Sequence, residues 1–528
     1  KDANPQALIT RTSQVDRFAG YQGDIICVNS QKEEIAKESH LDYRNDCKAE
    51  NAACVIYTSG STGAPKGILM SNRNIVNLIY SFTLSYKPGP GDSILPLTSI
   101  ASASFVGEIL PILVSGGRIV LADKVHFLDM KKLTALMSAY CVTILSTVPS
   151  MIARLNSAEL KPEGLRLLLS GGETLSASDI HKLRDSITIV NGYGLTEATI
   201  CSTYIILNEN KNDFGENSLI SVGSPIINTL VYILDKNRNP VPIGVPGEIY
   251  IGGHGISHGY LNNPELTTDK FINSLTFQVD NLQTNRLIFR TGDLGCFLSD
   301  GSIKFLGRID TQVQIHGHRI ELSEIETHLG LYPGIRDVVV VDREVVRGDR
   351  RLVAYIVPEG GKIPGSGQLR DWLDKRIPDY MIPSLYEAVD ELPLNINGKV
   401  DIPALPEPSW DRPELNVDYK APQTGIEKAI ASLWQDILRV EKVGINDNFF
   451  DLGGHSLLLT QLHSSLSELN QNSKELTIVD LFRYPTIYSL GKYIEEDGKK
   501  DTAEIYNKIQ SRGEKQRRAF KRKQFKVR

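Results

Sequence analysis

YTSGSTGAPKG, Tyr57 to Gly67, decides how the first part of this chain is read. Its glycines, serines and threonines are small enough for backbone N–H groups and hydroxyls to wrap phosphate oxygens, and Lys66 stands at its end. A proline, not a glycine, precedes that lysine, so the loop is not of the Walker A type. By composition alone a solvated Ser/Gly loop would serve as well. The segments around it decide.

Downstream, RIVLA (Arg118–Ala122), VTILST (Val142–Thr147), LRLLLS (Leu165–Ser170) and ITIVN (Ile187–Asn191) are near-continuous apolar runs that predict strands. MKKLTALMSAY (Met130–Tyr140) and SDIHKLRDS (Ser178–Ser186) have helical spacing. This alternation predicts an α/β domain with a parallel sheet covered on both faces and ligands at the carboxyl ends of its strands. Ser170-Gly171-Gly172-Glu173 and Asn191-Gly192-Tyr193-Gly194 fall at such ends. Upstream, QALIT predicts a strand and SQVDRF the start of a helix, the pattern of the middle of such a domain. The chain is therefore expected to lack the first part of its first domain.

Beyond Asn217 the texture changes. VGSPI, LVYILDKNRNPVPIG and GEIYIGG predict hairpins and a β-rich subdomain. After Arg308, strands mix with short helices to about Pro406, and prolines punctuate the next stretch to Pro422. Gly425 to about Ile494 has helical spacing throughout, and the end, RGEKQRRAFKRKQFKVR, is strongly basic. The expected units are an N-terminally incomplete first domain over 1–309, a small α+β unit over 310–406, a linker over 407–422, a helical domain over 423–495 and a basic tail over 496–528. A solvated linker is the default reading of the tail.

The 528 residues, 41% hydrophobic and 23% charged, suit a soluble multidomain protein. A net charge of −5 argues against nucleic acid as the partner of the whole chain. Six cysteines without a C-x-x-C pair give neither a zinc site nor a disulfide framework, so a reducing cytoplasm is the expected compartment. No apolar run approaches a membrane span and no signal peptide is visible.

A second informative string is DNFFDLGGHSLL, Asp447 to Leu458. With YTSGSTGAPKG, NGYGLTEAT, FRTGDL, GRIDTQVQIHGHRIELSEIE and LPLNINGKVD in order, nearly the whole chain resembles the adenylate-forming superfamily, specifically an adenylation domain of a nonribosomal peptide synthetase followed by a peptidyl carrier protein. The resemblance implies an α/β large subdomain with parallel sheets and a β-rich part, a small α+β C-terminal subdomain and a helical-bundle carrier. It implies ATP, Mg²⁺ and 4′-phosphopantetheine. Thr58, Ser59, Gly60, Ser61, Thr62, Gly63 and Lys66 would hold phosphates, with Gly172, Glu173, Asn191 and Gly194 also in the ATP site. Thr196 would sit on phosphate, Glu197 on the metal and Tyr193 against adenine. Asp293 would accept both ribose hydroxyls, Arg308 would contact the nucleotide and Asp310 would be the pivot between subdomains. Lys399 would stabilise charge in the adenylation transition state, and Ser456 would carry the phosphopantetheine.

One departure bears on the substrate. Amino-acid-activating relatives have Phe-Asp-x-Ser-x-x-Glu where this chain reads IASASFVGEIL, Ile100–Leu110, and alignment on Glu108 puts Ala103 at the Asp that pairs with the α-ammonium. No Asp or Glu lies between Ile94 and Gly107. A buried ammonium without a counter-charge is costly, so the expected acid lacks an α-amino group: an α-keto, α-hydroxy, aryl or fatty acid. Another residue supplying the anion, as for a β-amino acid, is the alternative. The carried-over pocket is Ala103, Ser104, Gly107, Ser146, Leu169, Gly171, Gly192, Ile200 and Cys201, and the small residue at Gly107 predicts depth. Gln314, His316 and His318 depart from the commoner residues of the hinge motif, and Ile396 from the lysine loop.

The function expected is ATP-dependent activation of a carboxylic acid and its loading onto the chain's own carrier. A phosphopantetheinyl transferase and a downstream condensation or ketosynthase module are the expected partners, with no nucleic acid and no membrane span. A free-standing acyl- or aryl-CoA ligase and an inactive nucleotide-binding scaffold are the alternatives.

Overall fold

The computed structural model describes residues 2–39, 46–60, 65–122, 130–157, 162–207, 218–273, 287–310, 312–315, 317–346, 349–360, 363–394, 400–409, 412, 415, 417–454, 456–469 and 476–497. A seven-stranded sheet organises the first part. Strands Arg118–Ile119, Ser93–Pro96, Ile144–Thr147, Leu167–Gly171 and Thr188–Tyr193 run parallel in that spatial order. Thr203–Leu207 and Ser224–Pro225 continue it antiparallel.

The two-residue period assigns each side chain a face. Ile144, Leu167 and Val190 meet Tyr86 and Ile112 from helices Asn72–Tyr86 and Ala103–Val114. Leu145, Leu168 and Ile189 face the other way, toward helices Met130–Ala139 and Pro149–Ser157. Each fully buried aliphatic side chain contributes roughly 1.5–3 kcal/mol, which is why these strands read as unbroken apolar runs. At the amino ends, Asp92 accepts from Arg166 Nε and Nη2 at 2.8 and 2.7 Å and from the Thr143 hydroxyl at 2.7 Å. The Arg166 hydrogen bonds hold its carboxyl down at about 2.

Two local expectations are corrected. RIVLA yields only the short strand Arg118–Ile119. SDIHKLRDS yields one helical turn, Ala177–Ile180, opened by a Ser176–Asp179 capping box, and successive turns then bury Leu183 and Ile187 without a continuous helix. Near the start, QALIT forms strand Ala7–Thr10, paired in parallel with Asp24–Cys27, and SQVDRF lies in a 3₁₀ helix, Thr12–Phe18.

The β-rich part is a five-stranded sheet of Thr229–Leu234, Gly247–Gly253, Leu287–Phe297, Phe271–Asn273 and Ile303–Arg308. Next comes a short hairpin, Gln312–Ile315 with His318–Glu321, leading directly into helix Leu322–Gly330. Strands Ile335–Val346, Asp349–Pro358 and Leu385–Ala388 with helix Ser366–Asp374 complete the small α+β unit.

Helices Gly425–Leu438, Ser456–Leu469, Ile478–Arg483 and Ile487–Asp497 close around Trp434, Phe449, Leu462 and Ile487. Tyr355 donates to the Pro406 carbonyl at 2.6 Å, just before the expected linker, and within it Arg412 makes a two-pronged bond, 2.8 Å on each arm, to fully buried Asp447. The helical domain rests on the α+β unit, with Arg370 5.2 Å above the Phe450 ring. No described helix is long and apolar enough to cross a membrane.

Candidate functional site

The register of the sheet brings the expected pocket residues together. Ser146 pairs with Leu169, Gly171 with Gly192, and Gly192 with Tyr204, all on the face turned toward the helix Ala103–Val114. Ala103 opens that helix, buried, just after Ser102, whose hydroxyl accepts the Ser104 N–H and caps it. No acidic residue occupies the helix's first turn.

Across the pocket stand Thr199 and Ile200, two β-branched residues in consecutive left-handed conformations at φ 53° and 76°. Such strain persists only where the surroundings enforce it. Here the Thr199 hydroxyl donates to the Gly255 carbonyl at 2.6 Å. A Cβ on Gly194 would lie 2.3 Å from the Ile200 carbonyl oxygen, so only glycine permits this turn.

The space that Gly107 leaves is not open. A Cβ there would already touch Leu78 at 3.4 Å and Ile200 at 3.5 Å. The depth expected from Gly107 alone is therefore reduced by two side chains that pack over it. Cys201 is buried beside Gly192, and burial pushes its thiol up to about 12.

Glu108, the next residue on the helix, is buried. Its Oε2 accepts from the Thr98 hydroxyl at 2.8 Å, while Oε1 has no partner among the described residues. Burial raises its carboxyl to about 7, opposed by the neighbouring Thr98 and Ser146 hydroxyls. Glu108, which served in the sequence only to align Ala103, was not among the expected pocket residues, nor were Tyr204 and Leu78. The first lies about 140° round the helix from Ala103, and the others are fixed by strand register and helix packing.

The residues expected at the nucleotide are held together by charge. The strand Ala52–Thr58 pairs with Lys66–Ser71 and sets Thr58 opposite Lys66. The Thr58 hydroxyl is buried without a partner among the described residues, a donor suited to a phosphate oxygen. Ser61, Thr62, Gly63, His316, Ile396 and Lys399 lie outside the described residues, as does the side chain of Ser456. Thr196 and Glu197 begin a single 3₁₀ turn after the strand that ends at Tyr193.

Glu197 is fully buried; Tyr260 donates to its Oε1 at 2.8 Å and Arg319 to its Oε2 at 2.7 Å. Burial would raise this carboxyl, but the Arg319 and Lys66 charges outweigh it and hold it below the usual range. Lys66 pairs with Glu321 at 3.2 Å and sits 5.6 Å above the Tyr260 ring.

Tyr193, Asp293, Arg308 and Asp310 form one chain. Tyr193 donates to Asp293 Oδ2 at 2.5 Å, Arg308 Nη1 donates to Asp293 Oδ1, and Arg308 Nε and Nη2 reach Asp310 at 2.6 and 2.7 Å. Burial pushes the Asp293 carboxyl up even with Arg308 beside it. Gly292, at φ 75°, makes room: a Cβ there would lie 3.0 Å from the Arg308 guanidinium and 3.1 Å from Asp310.

Glu173 accepts the Ser150 N–H and, from the hairpin tip, the Gly317 N–H, both at 2.9 Å. A Cβ on Gly172 would lie 3.5 Å from Gln314. His318 stacks on Tyr380 with ring centroids 3.9 Å apart. Asn191 faces away from Gly192 and donates to the Ser221 carbonyl at 3.0 Å, its Oδ1 unpartnered among the described residues.

The AMP-binding enzyme profile matches residues 1–261, the AMP-binding enzyme C-terminal domain residues 324–399, and the phosphopantetheine attachment site residues 428–494. A linear gramicidin synthase of Brevibacillus parabrevis is 38% identical over 492 residues, covering 93% of this chain and 6% of that protein. The chain thus spans less than a tenth of the length of that relative. Among solved structures, a holo nonribosomal peptide synthetase protein containing adenylation and PCP domains, bound to a vinylsulfonamide inhibitor, superposes with a TM-score of 0.73 at 26% identity, over 91% of this chain and 78% of that one. An artificially fused adenylation–PCP di-domain from Klebsiella oxytoca gives a TM-score of 0.63 at 23% identity, over 73% and 74%, a likeness of fold.

Proposed function

Because this chain belongs to the AMP-binding enzymes, as an adenylation domain of the nonribosomal peptide synthetase type with a phosphopantetheine-attachment domain behind it, we propose that it activates a carboxylic acid lacking an α-amino group and loads the acyl group onto its own carrier at Ser456. One observation carries the substrate class. Ala103 presents a methyl group at the first turn of a helix that has no acid there. The positive end of a helix repels an ammonium, and nothing at this position offsets that. An α-keto or α-hydroxy acid meets neither cost.

In the first half-reaction the acid's carboxylate attacks the α-phosphate of ATP, giving acyl-adenylate and pyrophosphate. Thr58, Ser59, Gly60 and Lys66 hold phosphate oxygens, Asp293 and Tyr193 hold the nucleoside, and Lys399 stabilises the charge that builds at the α-phosphate. Glu197 fits a magnesium ion: it is a buried carboxylate beside the phosphate loop, and hard cations take such oxygen ligands. That ion would supply charge neutralisation to the triphosphate.

In the second half-reaction the small subdomain turns about Asp310, and the acyl group passes to the carrier with release of AMP. Ser456 fits a phosphodiester, since it opens the helix Ser456–Leu469 where backbone N–H groups lack intrahelical partners. Phosphopantetheine there would supply the accepting thiol. Holding acid, nucleotide and carrier on one chain raises the effective concentration of each reactant for the next.

The test is intact-mass analysis of the phosphopantetheinylated chain after incubation with MgATP and a mixture of α-keto, α-hydroxy, aryl and α-amino acids. A mass gain matching an acid without an α-amino group is expected, and Ser456→Ala is expected to abolish it completely while pyrophosphate exchange persists. Loading of an ordinary α-amino acid would overturn the substrate class. Covalent loading of the Ser456→Ala chain would overturn the attachment site.

A further inference from the structure

Four of the groups read as phosphate and metal ligands, Ser59, Gly60, Lys66 and Glu197, are engaged by one piece of the small subdomain, Glu197 also by Tyr260. Glu324 Oε2 accepts the Gly60 N–H at 3.3 Å. The Ser59 hydroxyl donates to the Arg319 carbonyl at 2.8 Å. Glu321 pairs with Lys66 at 3.2 Å, and Arg319 pairs with Glu197 at 2.7 Å. Gln312 ties the two charged hairpin residues together, accepting from Arg319 Nε at 2.7 Å and donating to Glu321 at 2.6 Å. Charge is matched sign for sign: oxygen anions stand on the phosphate-loop donors, and a cation stands on the metal carboxylate.

We propose that the hairpin Gln312–Glu321 with the first turn of the helix behind it is a built-in mimic of magnesium pyrophosphate. Glu321 and Glu324 take the part of phosphate oxygens and Arg319 the part of the metal. The proposal rests on the reading of Gly60, Lys66 and Glu197 as the phosphate and metal groups. Its physical basis is that Glu197 is fully buried and Lys66 nearly so, and neither charge can be left unpaired without a large penalty. Departure of magnesium pyrophosphate would strip both of their partners at once, and the hairpin replaces them. The same pairs compete with incoming MgATP, so product release and subdomain closure become one exchange of ion pairs. Arg319, Glu321 and Glu324 are thus positioning residues for the transfer step.

Magnesium with inorganic pyrophosphate, added to the full chain without any acid, is the probe, and backbone amide exchange is the readout. It should slow exchange at Thr58–Lys66 and speed it at Gln312–Ile315 and His318–Glu321. In the double variant Glu321→Gln, Glu324→Gln the concentration for half-effect should fall about tenfold. Strand Asp349–Pro358 reports whether the variant is folded, and Glu324→Gln alone, a near-isosteric change, gives the same test with a smaller shift.

Protection of Thr58–Lys66 with an unchanged hairpin would overturn the mimic while leaving the phosphate-site reading intact, and so would an unchanged midpoint in the variants. No response in either segment would overturn the phosphate-site reading, and the mimic with it.

Discussion

The proposed acyl pocket, on one face of the seven-stranded sheet, and the proposed nucleotide site, assembled from the Lys66 strand, the five-stranded sheet and the Gln312–Glu321 hairpin, are built on opposite electrostatic plans. Around the nucleotide site, Lys66, Glu197, Asp293, Arg308, Arg319 and Glu321 are buried or nearly so, and each has a partner of opposite sign within 3.2 Å. Around the pocket the helix that should carry a counter-charge opens on Ala103. Burial raises the carboxyl of nearby Glu108 to about 7, with Thr98 as hydrogen-bond donor. Charge is concentrated where a highly charged ligand must be gripped and released. It is sparse around Ala103, where the proposed acid would place its α-position.

The strongest way to break this contrast is at the charged end. Lys399→Ala removes a cation from the developing phosphate charge, and ATP–pyrophosphate exchange should fall on the order of 10²–10³-fold. Near-normal exchange would show that the transition state draws its stabilisation elsewhere.

Next in size is a charge placed where the pocket has none. Ala103→Asp puts a carboxylate at the helix's positive end, and preference in an exchange assay should move toward α-amino acids by on the order of tenfold. An unmoved preference would separate Ala103 from the substrate's α-position.

The last effect concerns Glu108 and is read in stability, with no change expected in the kind of acid activated. Its folded-state carboxyl is raised to about 7, so the folded chain keeps a proton that the unfolded chain releases. Its contribution to stability is therefore fully present below the ordinary glutamate range and lost as pH rises through about 7. Glu108→Gln should unfold together with the parent chain at pH 4.5. By pH 8 it should be more stable, by up to on the order of 3 kcal/mol. An equal gap at both pH values would show that Glu108 does not titrate in this range.

Much of this was legible in the residues. The apolar runs announced the parallel sheet because strands buried on both faces have no polar side to show. The ordered strings from YTSGSTGAPKG to DLGGHSLL carried the family and suggested roles for Tyr193, Asp293 and Arg308, three residues that the fold joins in one hydrogen-bonded chain. Helix SDIHKLRDS was over-read, because its spacing of Ile180, Leu183 and Ile187 suits successive turns as well as a continuous helix. Arg319 and Glu321 sat inside a recognised string without a role, since their partners Glu197 and Lys66 are more than a hundred residues distant in sequence. No period or motif reports a contact of that separation.

The sequence by itself therefore determined the kind of chemistry and the absence of a carboxylate at Ala103, because residue type and local order suffice for both. Only the tertiary structure decided what closes over Gly107, which carboxyl burial raises, and which charges of the small subdomain meet Lys66 and Glu197. Those depend on burial and on the meeting of distant strands, and a charge acquires its cost or its value only when the fold has removed the water around it.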